Sequence, residues 1–395
     1  MRPASGCKLF GAYQALGGIQ DGVVLLHSVV GCNFGSMSLH VAQDMRDIRQ
    51  TCTVISDSDV VFSGEASLER AVRSALELFQ PSVLFVVSGC VSEMIGDDIP
   101  AVLARIPHEA PLLHVEAAGF RGDAARGLEA GWLALLPLMK PPVPRPYPRP
   151  YPRSDPRPLV NLIGLGMDDP HAADDVEALR AMLAPQAALG AVLSRCTLEE
   201  VRRAPYADVN LVLRGKGREL AQAMKEYFGI PWEELDYPYG AAGADDLWSR
   251  LERRFGLDYH QARAELDRQI AEGAGKAYRY LQALYGMPAA ILASGPRADG
   301  LRRFLEQELG MCFARREELS DQEDFYRELR GSESALLFGS SFEQDGADEL
   351  EIPLIRMDYP VFDEVCLTPR PHLGGQGTLH LLEDIFRGIM NGRTL

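Results

Sequence analysis

Short unbroken apolar runs alternate with amphipathic stretches along most of this chain, and no other feature constrains its fold as strongly. Residues 23–27 (VVLLH), 83–87 (VLFVV), 159–164 (LVNLIG), 189–194, 208–213 (DVNLVL), 289–293 (AAILA), 335–338 (ALLF) and 352–356 (IPLIR) read as strands. Continuously apolar runs of this length suit strands covered on both faces. Between them, 65–79 (EASLERAVRSALELF) places its apolar residues at helical spacing. Helices are also predicted over 97–105, 173–183, 298–309 and 376–391, and the long charged segment 246–285 reads as one or two more. A strand–helix–strand rhythm of this kind predicts parallel sheets and the α/β class, in three similar layers.

The rhythm breaks at 137–158 (PLMKPPVPRPYPRPYPRSDPRP). Repeated proline fits neither a helix interior nor a central strand and favours extended geometry. The segment reads as a semi-rigid linker, with a ligand for an SH3-type domain as the alternative. The expected layout is an N-terminal α/β domain over 1–136, the linker, a second α/β domain with long helices over 159–286, and a third over 287–395.

Charge and hydropathy narrow the class. The 395 residues carry 40 Lys and Arg against 56 Asp and Glu, a net charge of −16. That balance argues against nonspecific nucleic-acid binding, which needs a basic footprint. With 46% hydrophobic residues there is ample material for packed cores. No uncharged apolar run is long enough to cross a membrane. The opening MRPASGCKLF lacks the pattern of a signal peptide, so a cytoplasmic protein is expected.

Seven cysteines are present: Cys7, Cys32, Cys52, Cys90, Cys196, Cys312 and Cys366. An odd count in a long chain without secretory features disfavours a disulfide framework. The readings left are buried thiols, metal ligands or a nucleophile. No C-x-x-C pair occurs, so any metal site must draw on positions distant in sequence. In open parallel sheets, ligands bind beyond the carboxyl ends of the strands. Cys32 follows the 23–27 strand through Ser28–Gly31, and Cys90 follows the 83–87 strand through Ser88-Gly89. The glycines Gly31 and Gly89 permit close backbone approach to a bulky group. Cys7 precedes an amphipathic segment, Phe10–Leu16, that can dock on the same edge. The residues after Cys90 read as a helix start, whose N–H groups favour negative charge. Three converging thiolates suit iron–sulfur or zinc but are one short of the usual four ligands, so a subunit interface is an economical completion. Unrelated buried thiols remain the other reading.

The same residues carry a resemblance. The segment from Cys7 to Cys32 (CKLFGAYQALGGIQDGVVLLHSVVGC) resembles the first two cysteine motifs of the nitrogenase component 1 family. VFSGEASLE (61–69) and SGCVSEMIGDD (88–98) resemble its next two blocks, and similarity continues at 194–212, 229–232, 339–363 and 373–377. The cysteine spacing fits the β-type chain better than the α-type chain. The resemblance implies three Rossmann-like domains and an α2β2 assembly with an α-type (D-like) partner. It also implies electron delivery by a separate homodimeric, ATP-hydrolysing iron–sulfur reductase. On this footing Cys7, Cys32 and Cys90 supply half of an interfacial cluster, a P-cluster-like [8Fe–7S] centre or a [4Fe–4S] centre. Phe62 matches an aromatic on the face that receives the reductase; an ordinary core aromatic after a strand is its other reading. Asp123 aligns roughly with a β-type serine that ligates the oxidised cluster, or is simply a surface carboxylate.

Departures from the family pattern point the same way. Arg214 stands where the α-type chain has the cysteine of its catalytic metallocofactor. Leu373, not histidine, precedes the turn at Gly374, and His372 is one place removed. The larger cofactor is therefore expected in the partner. Cys52, Cys196, Cys312 and Cys366 match no family role and are expected to be structural. Within the family, the length and complete triad favour an oxidoreductase subunit of a nitrogenase-like reductase, such as a methylthio-alkane reductase that cleaves C–S bonds in small thioethers. The alternatives are a scaffold for cofactor assembly and a tetrapyrrole reductase subunit.

Overall fold

The computed structural model describes residues 6–40, 49–140, 155–293, 295–313, 327, 329–331 and 333–392. Among these the chain forms three four-stranded parallel sheets. The first contains β1 (Gly22–His27), β2 (Gln50–Cys52), β3 (Val83–Ser88) and β4 (Leu112–Glu116) in the order β2-β1-β3-β4. The second contains β5 (Leu159–Ile163), β6 (Ala188–Val192), β7 (Val209–Leu213) and β8 (Trp232–Leu235) in the order β6-β5-β7-β8. The third contains β9 (Pro288–Ile291), β10 (Cys312–Phe313), β11 (Leu336–Gly339) and β12 (Leu354–Arg356) in the order β10-β9-β11-β12. The three-layer α/β architecture expected from the alternation is therefore what the chain adopts.

The apolar runs explain how the layers are built. In β1, Val23 and Leu25 face the helix Glu65–Phe79 through Leu68, Val72 and Ala75. Val24 and Leu26 point the other way, into a core shared with the helix Lys8–Leu16. Both faces are covered, so the strand has no polar side to display. That second core continues through Trp132 into Ile163 and Val212 of the second sheet and Leu193 just past β6. A further core joins the second sheet to the third, from Val160 and Leu211 to Ala289 and Phe338.

Several expectations need amendment. The segment 246–285 is spanned by three helices, Gly240–Phe255, His260–Gly275 and Tyr278–Leu284, rather than one or two. Gly256, in the left-handed region at φ 68°, ends the first of them. The strands β2, β4, β8 and β10 were not legible as apolar runs. Of the proline-rich stretch, 141–154 lies outside the described residues; Leu138 and Met139 just before it are buried in the core. No helix among the described residues is long and apolar enough to cross a membrane.

Candidate cluster site at the edge of the first sheet

Three helices begin at the carboxyl edge of the first sheet, each with a cysteine at its start. Cys7 is the N-cap of Lys8–Leu16, Cys32 lies in the first turn of Val30–His40, and Cys90 is the first residue of Cys90–Ile95. Backbone N–H groups at helix starts have no intrahelical acceptor and favour negative charge nearby. All three thiols are half-buried. The helix Lys8–Leu16 docks on Ala124–Leu133, and Lys8 N–H donates to Gly122 O at 3.0 Å. This brings Cys7 back to the sheet edge, as its amphipathic sequence suggested.

The loop after β4 completes the edge. Gly119 N–H donates to Cys90 Sγ at 3.1 Å. A methyl group built on Gly119 would lie 3.0 Å from Cys7 Cβ and 3.3 Å from Cys90 Sγ. The glycine therefore keeps open the space on which these two thiols converge. At Gly89 an added methyl would overlap the Ser28 hydroxyl, so a side chain there would force apart the turns that carry Cys32 and Cys90. Gly31, by contrast, has nothing within 4 Å of such a methyl and borders open space.

Buried polar groups fix these turns. His27, fully buried, has Nε2 2.9 Å from Asp97 Oδ2 and Nδ1 3.1 Å from Thr53 Oγ1. Its carbonyl accepts from Gly89 N–H at 3.0 Å and from Ser92 Oγ at 2.7 Å. Burial lowers the His27 pKa, against the opposing pull of Asp97. The other Asp97 oxygen accepts from Ser63 Oγ and Gly64 N–H, both at 2.9 Å. Glu93 accepts from Ser88 Oγ at 2.8 Å and from Ala118 N–H at 2.9 Å, and pairs with Arg121 at 2.6 Å. One set of bonds thus ties the Cys32 and Cys90 turns to the Gly119 loop and to the turn after Phe62.

The remaining predicted residues fall as follows. Asp123 is exposed, pairs with Cys7 through the backbone, and caps Ala124–Leu133 by accepting from Arg126 N–H at 3.0 Å. Phe62 is 85% exposed at the end of the helix Asp57–Phe62. It is not the core aromatic after a strand that its alternative reading required. Val61, Met94, Phe120, Val30 and Phe34 are also exposed. Cys196 is buried, as expected of a packing thiol, whereas Cys312 and Cys366 are exposed and fill no core. Among the described residues, no three His, Cys, Asp or Glu side chains gather closely enough to hold a single metal ion. The donor set is soft, half-buried, spread along an edge and beside open space, which fits a sulfide-bridged iron cluster better than one ion.

The crevice between the second and third sheets is closed by its own side chains. Arg214, just past β7, lies outside that packed region: it is half-exposed and pairs with Asp236 at 2.6 Å. Asp175 accepts from His372 N–H at 2.6 Å, Leu373 N–H at 3.1 Å and Tyr237 OH at 2.6 Å. Arg297 lies 4.3 Å above the Tyr237 ring and donates to Pro170 O at 2.7 Å. The His372 ring is buried 4.1 Å from that of His171. Burial above all pushes the His171 pKa down to about 2, so its ring is neutral.

A family model described as nitrogenase component 1 type oxidoreductase matches residues 7–314. The nitrogenase iron-molybdenum cofactor biosynthesis protein NifE of Methanosarcina barkeri is 29% identical over 312 residues, which cover 73% of this chain and 64% of that relative. The chain thus spans slightly under two thirds of its length. The nitrogenase molybdenum-iron protein alpha chain of Methanothermobacter marburgensis is 24% identical, covering 98% of this chain and 87% of the relative. The beta chain from Methanococcus maripaludis is 23% identical, covering 99% and 94%. The solved structure "Nitrogenase Cp1 at pH 6.5" shares the fold, with a TM-score of 0.81 at 17% identity over 99% of this chain and 93% of that one.

Proposed function

This chain belongs to the nitrogenase component 1 type oxidoreductase family, and from that premise we propose that it is the β-type, electron-relaying subunit of a nitrogenase-like complex. The observation that carries the reading is the edge of the first sheet, where three half-buried cysteines stand at three helix starts beside open space. Cys7, Cys32 and Cys90 would hold half of an iron–sulfur cluster, [8Fe–7S] or [4Fe–4S], at an interface with an α-type partner in an α2β2 assembly. When bound, such a cluster supplies one-electron relay. The chain's own part is to orient the thiols at the helix starts, to hold the Gly119 loop against Cys7 and Cys90, and to exclude water with an apolar fringe. Phe62 would meet the ATP-dependent reductase, since the Asp97–Ser63–Gly64 bonds hold its turn rigidly outward. Asp123 would become a ligand only by giving up its cap on Arg126 N–H. The domain limits 1–136, 159–286 and 287–395 are proposed with it, each span enclosing one sheet.

We assign the larger catalytic metallocofactor to the partner because the buried Asp175–His372–Arg297 network fills this chain's own crevice, and an arginine, Arg214, follows β7. The proposed substrates are small thioethers. Two electrons and two protons would convert ethyl methyl sulfide to methanethiol and ethane. Cys90→Ala in the purified complex should lose iron and the EPR signal of the interfacial cluster; unchanged iron sinks the cluster assignment. A metallated complex given reductase, ATP and ethyl methyl sulfide should release methanethiol. Absence of product from that complex would favour the second reading, a scaffold for cofactor assembly, which the similarity to cofactor biosynthesis proteins supports.

A further inference from the structure

Ser28 stands in the turn between β1 and Cys32, and it is fully buried. Its carbonyl accepts from Ile55 N–H at 3.1 Å, but its hydroxyl has no hydrogen-bond partner among the described residues. The other buried serines differ. Ser36 Oγ donates to Asn33 O at 2.9 Å, Ser88 Oγ to Glu93 at 2.8 Å and Ser92 Oγ to His27 O at 2.7 Å. Ser67, Ser194, Ser340 and Ser341 are bonded as well. A buried hydroxyl left unpaired is costly, so this one points to a partner that the chain itself does not provide.

The Ser28 side chain lies where the three cysteine-bearing segments meet. It belongs to the turn that leads to Cys32. A methyl group built on Gly89, the residue before Cys90, would overlap its hydroxyl. The same methyl would lie 3.2 Å from Leu9 Cδ1, on the helix that starts at Cys7.

We propose that Ser28 Oγ–H donates a hydrogen bond to a sulfide of the iron–sulfur cluster. The proposal rests on reading Cys7, Cys32 and Cys90 as cluster ligands. It adds no ligand to that set, so the cluster stays shared with the partner subunit. No cysteine sulfur among the described residues accepts from this hydroxyl, which leaves inorganic sulfide as the acceptor. The proton stays on the serine oxygen. Hydrogen bonds to cluster sulfurs are one of the means by which a protein sets the reduction potential. This one favours the more negative, reduced cluster, because a donor bonds a charged acceptor more strongly.

The test compares Ser28→Ala with the unaltered protein in two states. In the metal-free full chain the substitution removes an unpaired hydroxyl, so the midpoint of chemical denaturation should stay level or rise. A lower midpoint overturns the proposal, because the hydroxyl would then be bonded within the chain. In the purified complex with its cluster, Ser28→Ala should keep wild-type iron; a loss as large as that of Cys90→Ala overturns the proposal, since a donor to sulfide is not an iron ligand. At a fixed applied potential its ratio of reduced to oxidised cluster should fall at least three-fold, and an unchanged ratio overturns the proposal. After exchange into heavy water, pulsed EPR of the unaltered complex should show a deuteron coupled to the cluster that Ser28→Ala lacks. The same coupling in both also overturns it. Cys90→Ala separates the two levels. If it keeps wild-type iron, the cluster reading itself fails; if it loses iron while Ser28→Ala leaves the ratio and the deuteron signal unchanged, only the Ser28 assignment fails.

Discussion

The sheets within 22–116 and 159–235 share one topology, with four parallel strands and the first strand flanked by the second and third. At the carboxyl edge of the former stand Cys52, Cys32 and Cys90, with Cys7 brought in by a helix; Phe34 and Phe120, close to Cys32 and Gly119 in the chain, are exposed. At the matching edge of the latter, Ser194 follows β6 and grips the first domain. Its hydroxyl donates to Ala15 O at 3.0 Å and accepts from Trp132 Nε1 at 2.6 Å. Gln20 N–H donates to Cys196 O at 2.9 Å beside it. Topology creates the same edge in both places. Side chains make one an open thiol-lined face and the other a sealed joint between domains.

Substitutions on the two edges should therefore dissociate stability from iron loading. The largest stability effect is expected at Gly18, where an added methyl would overlap the backbone carbonyl of Ser194. Gly18→Ala should cost about 3 kcal/mol or more, because overpacking against backbone leaves little room to relax. Chemical denaturation measures it, and a loss below 1 kcal/mol would contradict the sealed joint. Ser194→Ala removes the acceptor of the buried Trp132 N–H and the donor to Ala15 O, at a cost of about 2 kcal/mol. Iron loading per folded chain should stay at the wild-type level; a drop would show that the two edges are coupled.

Asp358, just past β12, tests the buried polar joint through pH. Burial raises its pKa from 3.8 to about 6, against the pull of Lys216. Between those values the folded chain binds more protons than the unfolded chain, so this group's contribution to stability falls as pH rises from about 4 to about 6. Asp358→Asn should gain about 1–2 kcal/mol at pH 7 and nothing near pH 4. A gain that does not depend on pH would refute the assignment. The smallest stability change is expected at the open edge itself. Gly119→Ala should shift the metal-free chain by no more than about 1 kcal/mol, since its neighbours are exposed or half-buried. It should nevertheless lower iron uptake by crowding Cys7 and Cys90, and unchanged uptake would break the contrast.

What was legible follows physical rules. β1, β3, β5 and β7 are buried throughout or nearly so, and strands covered on both faces show as apolar runs. β2 (QTC), β4 (LLHVE) and β8 (WEEL) end their sheets, are short or partly exposed, and leave no such trace. Cys32 and Cys90 could be placed because each follows a readable strand through a short turn. The place of Cys52 was not legible, because its strand is three residues long and its position depends on pairing with β1. Phe62 illustrates the same limit, since its sequence block does not say whether the ring points inward, and only the helix Asp57–Phe62 turns it out to 85% exposure.

By itself the sequence determined the α/β class, the parallel layers and the two strand-end thiols, because these depend on local periodicity and on turns of a few residues. Tertiary structure alone decided that Gly119 packs against both Cys7 and Cys90, that Cys52 ends the neighbouring strand, and that the space between the second and third sheets is filled. Those outcomes arise from contacts between residues that are tens to hundreds of positions apart, such as Asp175 with His372. No periodicity records such contacts; they exist only once the layers have packed and the buried polar groups have found their partners.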